Sequence, residues 1–113
     1  MILYLSGPIS GDPRYLEKFY NAESRLSRIY EGEHVVLNPA LLPQGLKEYT
    51  DYMDISFAML RAAEGIVMLP GWKRSGGARD ELQFALMRGI RVFFGVESVP
   101  SGKNPQTRKE GGP

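Results

Sequence analysis

The sequence contains no cysteine and a single histidine, His34. Without cysteine there is neither a disulfide framework nor a thiolate metal site, and one histidine alone argues against a histidine zinc site. No cofactor is expected. Excess charge is lacking too: 14 lysines and arginines stand against 13 aspartates and glutamates. The cations are spread along the chain, so no basic block or stripe offers itself to polymeric nucleic acid. No apolar run reaches the roughly 18 residues of a membrane span. The opening MILYLSGPISG has neither the positive flank nor the length of a signal peptide. A membrane partner is not expected, and the protein reads as cytoplasmic.

What is present is an alternation of short apolar runs and amphipathic stretches, the pattern of a parallel sheet wrapped by helices. Residues 2–6 form an apolar strand closed by Gly7-Pro8. Over 14–30 the apolar positions Leu16, Phe19, Tyr20, Leu26 and Ile29 recur at helical spacing, and Gly32 should end that helix. A second strand is expected at 34–37, a loop around Asn38, Pro39, Pro43 and Gly45, and a second helix over 49–63 with Tyr52, Ile55, Met59 and Leu60 on one side. The run 65–69, apolar on both faces, predicts a central strand. A helix over 78–88 and a strand over 91–95 follow. The order β-α-β-α-β-α-β is that of a small doubly wound α/β domain, Rossmann- or flavodoxin-like, with helices on both faces of a parallel sheet. Residues 1–97 should make up the domain and 98–113, nearly devoid of apolar side chains, a flexible tail. The helices carrying Leu16, Phe19, Tyr52, Met53, Phe57 and Met59 offer more apolar surface than so small a sheet can cover, so a homodimer or larger homo-oligomer is expected.

In open α/β sheets ligands bind beyond the carboxyl ends of the strands, and the unusual residues stand there. In residues 65–89, GIVMLPGWKRSGGARDELQFALMRG, an apolar strand breaks into a glycine-rich loop before a helix. Such a junction aims backbone N–H groups and the positive end of a helix dipole at one spot, which suits a phosphate. Glu81, one turn into the helix, would lie beside any ligand held there, although an acidic residue in a first turn also serves simply to oppose the dipole, as does Asp80. The loop after the first strand, Ser6-Gly7-Pro8-Ile9-Ser10-Gly11, lets the backbone approach a ligand closely and offers hydroxyls; it equally makes a tight turn. Asn38 and Pro39 fit a turn as well as a ligand contact. Trp72 reads as a packing residue or as a lid that stacks on a flat ligand. Lys73 and Arg74 suit a solvated face or an added charge against phosphate, Asp54 and Ser56 are polar positions early in the second helix, and Tyr49 and Tyr52 read as packing residues.

These residues also carry a resemblance. YLSGPISG at the start, Asn-Pro after the second strand, and LPGW followed by S-x-G-A-x-x-E resemble a small phage and bacterial family related to the nucleoside 2-deoxyribosyltransferases and the 2'-deoxynucleoside 5'-phosphate N-hydrolases, over residues 2–95. The resemblance implies that Glu81 is the nucleophile attacking the anomeric carbon. It implies that Ser75 and Gly77 hold a 5'-phosphate, and that Gly7, Ile9 and Gly11 of the opening segment wrap sugar and phosphate, with Tyr4, Pro8, Ser10 and Ala78 beside them as substrate-binding residues. Asn38 and Trp72 join the substrate-binding set. Where relatives place an aspartate near the leaving base this sequence has Ser56, with Asp54 two positions earlier as the candidate acid. The expected activity is N-glycosidic bond hydrolysis or transfer on a (deoxy)nucleoside 5'-monophosphate; the alternative is a non-catalytic protein that binds or sequesters a nucleotide in the same pocket.

Overall fold

The computed structural model describes residues 1–30 and 32–101. Its strands are β1 (Ile2–Ser6), β2 (Val35–Leu37), β3 (Gly65–Met68) and β4 (Arg91–Phe94), and its helices α1 (Tyr15–Tyr30), α2 (Tyr49–Arg61) and α3 (Gly76–Met87). Short 3-10 turns at Pro39–Leu41, Trp72–Arg74 and Val96–Ser98 join them. The sheet is parallel throughout, in the order β2-β1-β3-β4, so the chain winds outward from β1 in both directions as a doubly wound α/β fold does. Among the described residues no helix is long and apolar enough to cross a membrane.

Strand side chains alternate between faces, and this alternation splits the core in two. Leu3 and Leu5 of β1 and Val67 of β3 face α1, where Phe19, Ala22 and Leu26 meet them. Tyr4, Ile66 and Met68 face the other way, toward Leu60 of α2 and Ala78 and Ala85 of α3. Gly65 of β3 leaves room on the α1 face for the side chains of the flanking strands: a Cβ there would stand 2.7 Å from Phe93 Cε2 and 2.9 Å from Leu3 Cδ2.

Several boundaries shift from the sequence expectation for local reasons. α3 begins two residues early because the Ser75 side chain caps it, accepting the Ala78 N–H at 3.1 Å. α2 stops at Arg61, short of residue 63. On α1 the buried face is Phe19, Ala22 and Leu26, whereas Leu16 is 53% exposed and Tyr20 also faces solvent. Phe57, expected on an association surface, stacks within the chain on Phe84 at 4.7 Å between ring centroids. The domain also runs past residue 97. Val99 is buried in the first core, and the Pro100 carbonyl lies 3.2 Å from His34 Nε2. Of the expected flexible tail, residues 102–113 lie outside the described residues.

Candidate functional site

Period-two alternation along β1 turns Tyr4 and Ser6 to the same face, the one covered by α3. On α3 the buried positions are Ala78, Glu81 and Ala85, one helical stripe at i, i+3 and i+7. The two alanines let the helix lie close to the sheet, which lowers the Glu81 side chain onto β1. There Tyr4 Oη donates to Glu81 Oε2 at 2.7 Å and Ser6 Oγ donates to Glu81 Oε1 at 2.6 Å. The Ser56 hydroxyl of α2 is a third neighbour of the carboxylate.

Glu81 is only 7% exposed. Burial is the main influence on it and disfavours the charged form; the hydrogen bonds from Ser6, Tyr4 and Ser56 oppose this, and nearby Asp80 reinforces it, leaving the carboxyl pKa above its ordinary value. Burial, followed by the Glu81 charge, pushes the Tyr4 phenol well above 10.0, so Tyr4 stays a proton donor. The sign for stability follows. A carboxyl with a raised folded-state pKa favours folding most when protonated, below the ordinary 4.5, and that contribution is lost as pH rises through the raised value. Glutamine does not titrate, so the melting temperature of Glu81→Gln minus that of the parent should grow from pH 4 to pH 8. Thermal unfolding at both pH values checks this; a difference that stays flat or shrinks contradicts it.

Glu81 lies at a cavity of about 760 Å³, within the roughly 300–1,000 Å³ of small-molecule sites. The loop after β1 contributes Gly7, Ile9 and Ser10, the segment after β2 Pro39 and Ala40, and the loop after β3 Arg74 through Ala78. The N-terminal half of α2 adds Tyr49, Tyr52, Met53 and Ser56. The cavity therefore opens beyond the carboxyl ends of β1, β2 and β3. At its edge the first turn of α3 presents N–H groups that helix geometry leaves without intrahelical acceptors. Ser75 Oγ uses a lone pair on the Ala78 N–H, which leaves its own proton free to donate. Gly77 permits the close approach of α2: a Cβ there would stand 3.3 Å from Tyr49 Oη.

Of the residues expected from sequence, the structure brings Gly7, Ile9, Ser10, Ser56, Ser75, Gly77, Ala78 and Glu81 to this cavity. Others stand elsewhere. Tyr4 is fully buried beneath it and reaches it through Glu81. Pro8 packs against the Gly71 turn and lines a depression beside α1. Gly11 has a φ of 80° in the turn leading to α1, outside the cavity lining. Asn38 is buried in a structural role, accepting the Ala40 N–H at 2.9 Å and donating to Glu23 at 2.9 Å. Trp72 is not a lid over the cavity: its ring turns toward the β4 edge, 5.7 Å from that of Phe94, and packs on the second core. Asp54 is exposed. Helical residues turn by about 100° each, so with Ser56 facing inward Asp54 is carried roughly to the opposite side of α2. In the other direction, Tyr49 and Tyr52, read as packing residues, stand in the cavity wall with Tyr15 and Gln44. The spacing 49, 52, 56 along one helix stripe was the available signal for the two tyrosines. For Ser6 it was the shared strand face with Tyr4.

Residues 1–94 match the family described as "Domain of unknown function (DUF4406)". No curated protein matches the sequence. Among solved structures, the fold is similar to that of a 2-desoxiribosyltransferase from Leishmania mexicana, with a TM-score of 0.59 and 21% identity over 80% of this chain and 61% of that one. The likeness is one of fold, the four-stranded parallel α/β sheet, and the chain spans 61% of the length of that structure.

Proposed function

The chain belongs to the DUF4406 family, and we propose that it cleaves, or transfers across, the N-glycosidic bond of a (deoxy)nucleoside 5'-monophosphate with Glu81 as nucleophile. The observation that carries this reading is a buried carboxylate, held by two hydroxyls at a nucleotide-sized cavity, in the second turn of α3 beyond its Ser75 cap. Breaking a C1'–N bond leaves an oxocarbenium-like sugar, which a fixed carboxylate beside C1' stabilises or captures as an ester. Tyr4 and Ser6 hold the Glu81 oxygens in place, so little reorganisation is needed when positive charge develops on the sugar. A 5'-phosphate against Ser75, Gly77 and the first-turn N–H groups supplies binding energy remote from the bond that breaks and orients the sugar. The likeness in fold to a deoxyribosyltransferase supports the same class of chemistry.

The test is base release from a panel of nucleoside monophosphates followed by chromatography, with binding measured in parallel by calorimetry. Within it, Ser75→Ala should weaken nucleotide affinity by about 1–3 kcal/mol, the usual loss for a removed hydrogen-bond partner at a charged group, and leave unphosphorylated nucleosides nearly unchanged. Equal losses for both ligands would remove Ser75 from the phosphate subsite. One observation favours a second reading: Asp54 faces solvent rather than the cavity, as would suit a protein that binds a nucleotide without cleaving it. Tight, Ser75-dependent binding with no base release would select that alternative.

A further inference from the structure

Rupture of a C1'–N bond sends the bonding electron pair to the departing heterocycle. A neutral base thus leaves as an anion unless an acid protonates it as the bond breaks. Among the described residues lining the cavity, Glu81 is the sole carboxylate, and neither lysine nor histidine joins it. Glu81 in its nucleophilic, ionised form has no proton to give. Asp54 is on the solvent side of α2, Asp80 is an exposed residue of α3 outside the lining, and His34 precedes β2, at the end of the parallel sheet away from the cavity. Arg74 does not release its proton. The hydroxyl groups that remain are phenols and serines, and burial together with Asp80 raises the Tyr49 phenol above 10.0, making it a weaker acid still.

What the wall does provide is aromatic surface. Tyr15, Tyr49 and Tyr52 all line the cavity, and Tyr49 is 54% exposed, so its ring is open to a ligand. Aromatic faces attract a cation, and the Glu81 carboxylate adds attraction of the same sign. From the sole carboxylate and the tyrosine wall we infer that the nucleotide cleaved here carries a cationic N-linked heterocycle, of the pyridinium or N-alkylpurinium class, which departs neutral and needs no enzymic acid. This rests on the N-glycosidase reading. The step balances without a proton donor. A Glu81 oxygen bonds to C1' as the C1'–N bond breaks, and the electron pair cancels the positive charge on the ring. Water then attacks C1', the ester C1'–O bond breaks back to the Glu81 carboxylate, and one water proton passes to solvent.

The experiment incubates the full chain with GMP, dGMP, 7-methylguanosine 5'-monophosphate and nicotinamide mononucleotide. Free base is followed by chromatography, and spontaneous loss is subtracted using Glu81→Gln protein. GMP and its 7-methyl derivative differ by the methyl group that places a positive charge on the ring, so their ratio reads how far cleavage depends on a leaving group that needs no proton. The expected result is a kcat/KM for the methylated nucleotide about 10²–10⁴ times that for GMP, the span an acid catalyst would otherwise supply. Release from nicotinamide mononucleotide as well would place pyridinium nucleotides among the substrates; release from the methylated purine alone would narrow the class to purinium rings. Equal rates for GMP and its methylated form overturn this inference and leave the N-glycosidase reading standing. No Glu81-dependent release from any of the four overturns both.

Discussion

Replacing Glu81 with glutamine should cut base release by roughly a hundredfold or more, the scale of loss when a principal electrostatic group is removed from an active site. The substitution keeps size and much of the hydrogen bonding. Tyr4 and Ser6 present rotatable hydroxyls to the side chain, and a hydroxyl accepts as well as donates, so both can turn to meet an amide. What is lost is the charge. An amide oxygen neither stabilises an oxocarbenium sugar to the same degree nor captures it as a hydrolysable ester. Nucleotide binding should survive, because Ser75, Gly77 and the α3 amides are untouched. The fall should therefore appear in kcat, with the dissociation constant measured by calorimetry close to that of the parent. Cleavage by Glu81→Gln at the parental rate would end the enzymatic reading of the cavity.

The largest loss of stability should come from Phe19→Ala. Phe19 is 1% exposed and packs in the core formed with Leu3, Leu5 and Leu26. Truncating a buried phenylalanine costs about 3–5 kcal/mol through lost transfer energy and the void left behind, against a total stability of about 5–15 kcal/mol for a small domain. The site should feel it too. A Cβ at Gly7 would lie 3.6 Å from Phe19 Cζ and 3.0 Å from Leu69 Cβ, so the loop that carries Gly7, Ile9 and Ser10 to the cavity lies directly on this ring. Urea unfolding should show the midpoint falling steeply, while Leu16→Ala on the exposed side of the same helix stays within about 0.5 kcal/mol of the parent. Similar midpoints for the two variants would show that α1 does not anchor the sheet through Phe19.

Features governed by neighbouring residues were legible in the sequence. β1 coincides with its expected span because Gly7-Pro8 ends it, and the junction from Ser75 through Glu81 has the N-cap and glycines of one local motif, although the early start of α3 at Gly76 puts Glu81 in the second turn and not, as expected, in the first. Features that depend on distant partners were harder to read. Trp72 turns away from the cavity because β4 brings Phe94 beside it, and nothing near residue 72 announces that partner. Tyr4 and Ser6 meet Glu81 across separations of 77 and 75 residues, which only the packing of α3 on β1 brings together. Asp54 illustrates a different difficulty: closeness in sequence to Ser56 suggested a shared place, but helical phase separates them. On α1 the same phase decides between Phe19 and Leu16.

The position of Trp72 also gives the protein an optical handle. It is the one tryptophan of the chain, so the indole fluorescence comes from a single point, at the start of the turn Trp72–Arg74 that runs into Ser75 and the α3 cap. A ligand settling against Arg74 and Ser75 perturbs the segment that holds the fluorophore, while events at the far end of the sheet, around His34 and Pro100, lie remote from it. Emission during a titration should therefore report on the Arg74–Ser75 edge of the cavity, where the phosphate is proposed to sit, without any label.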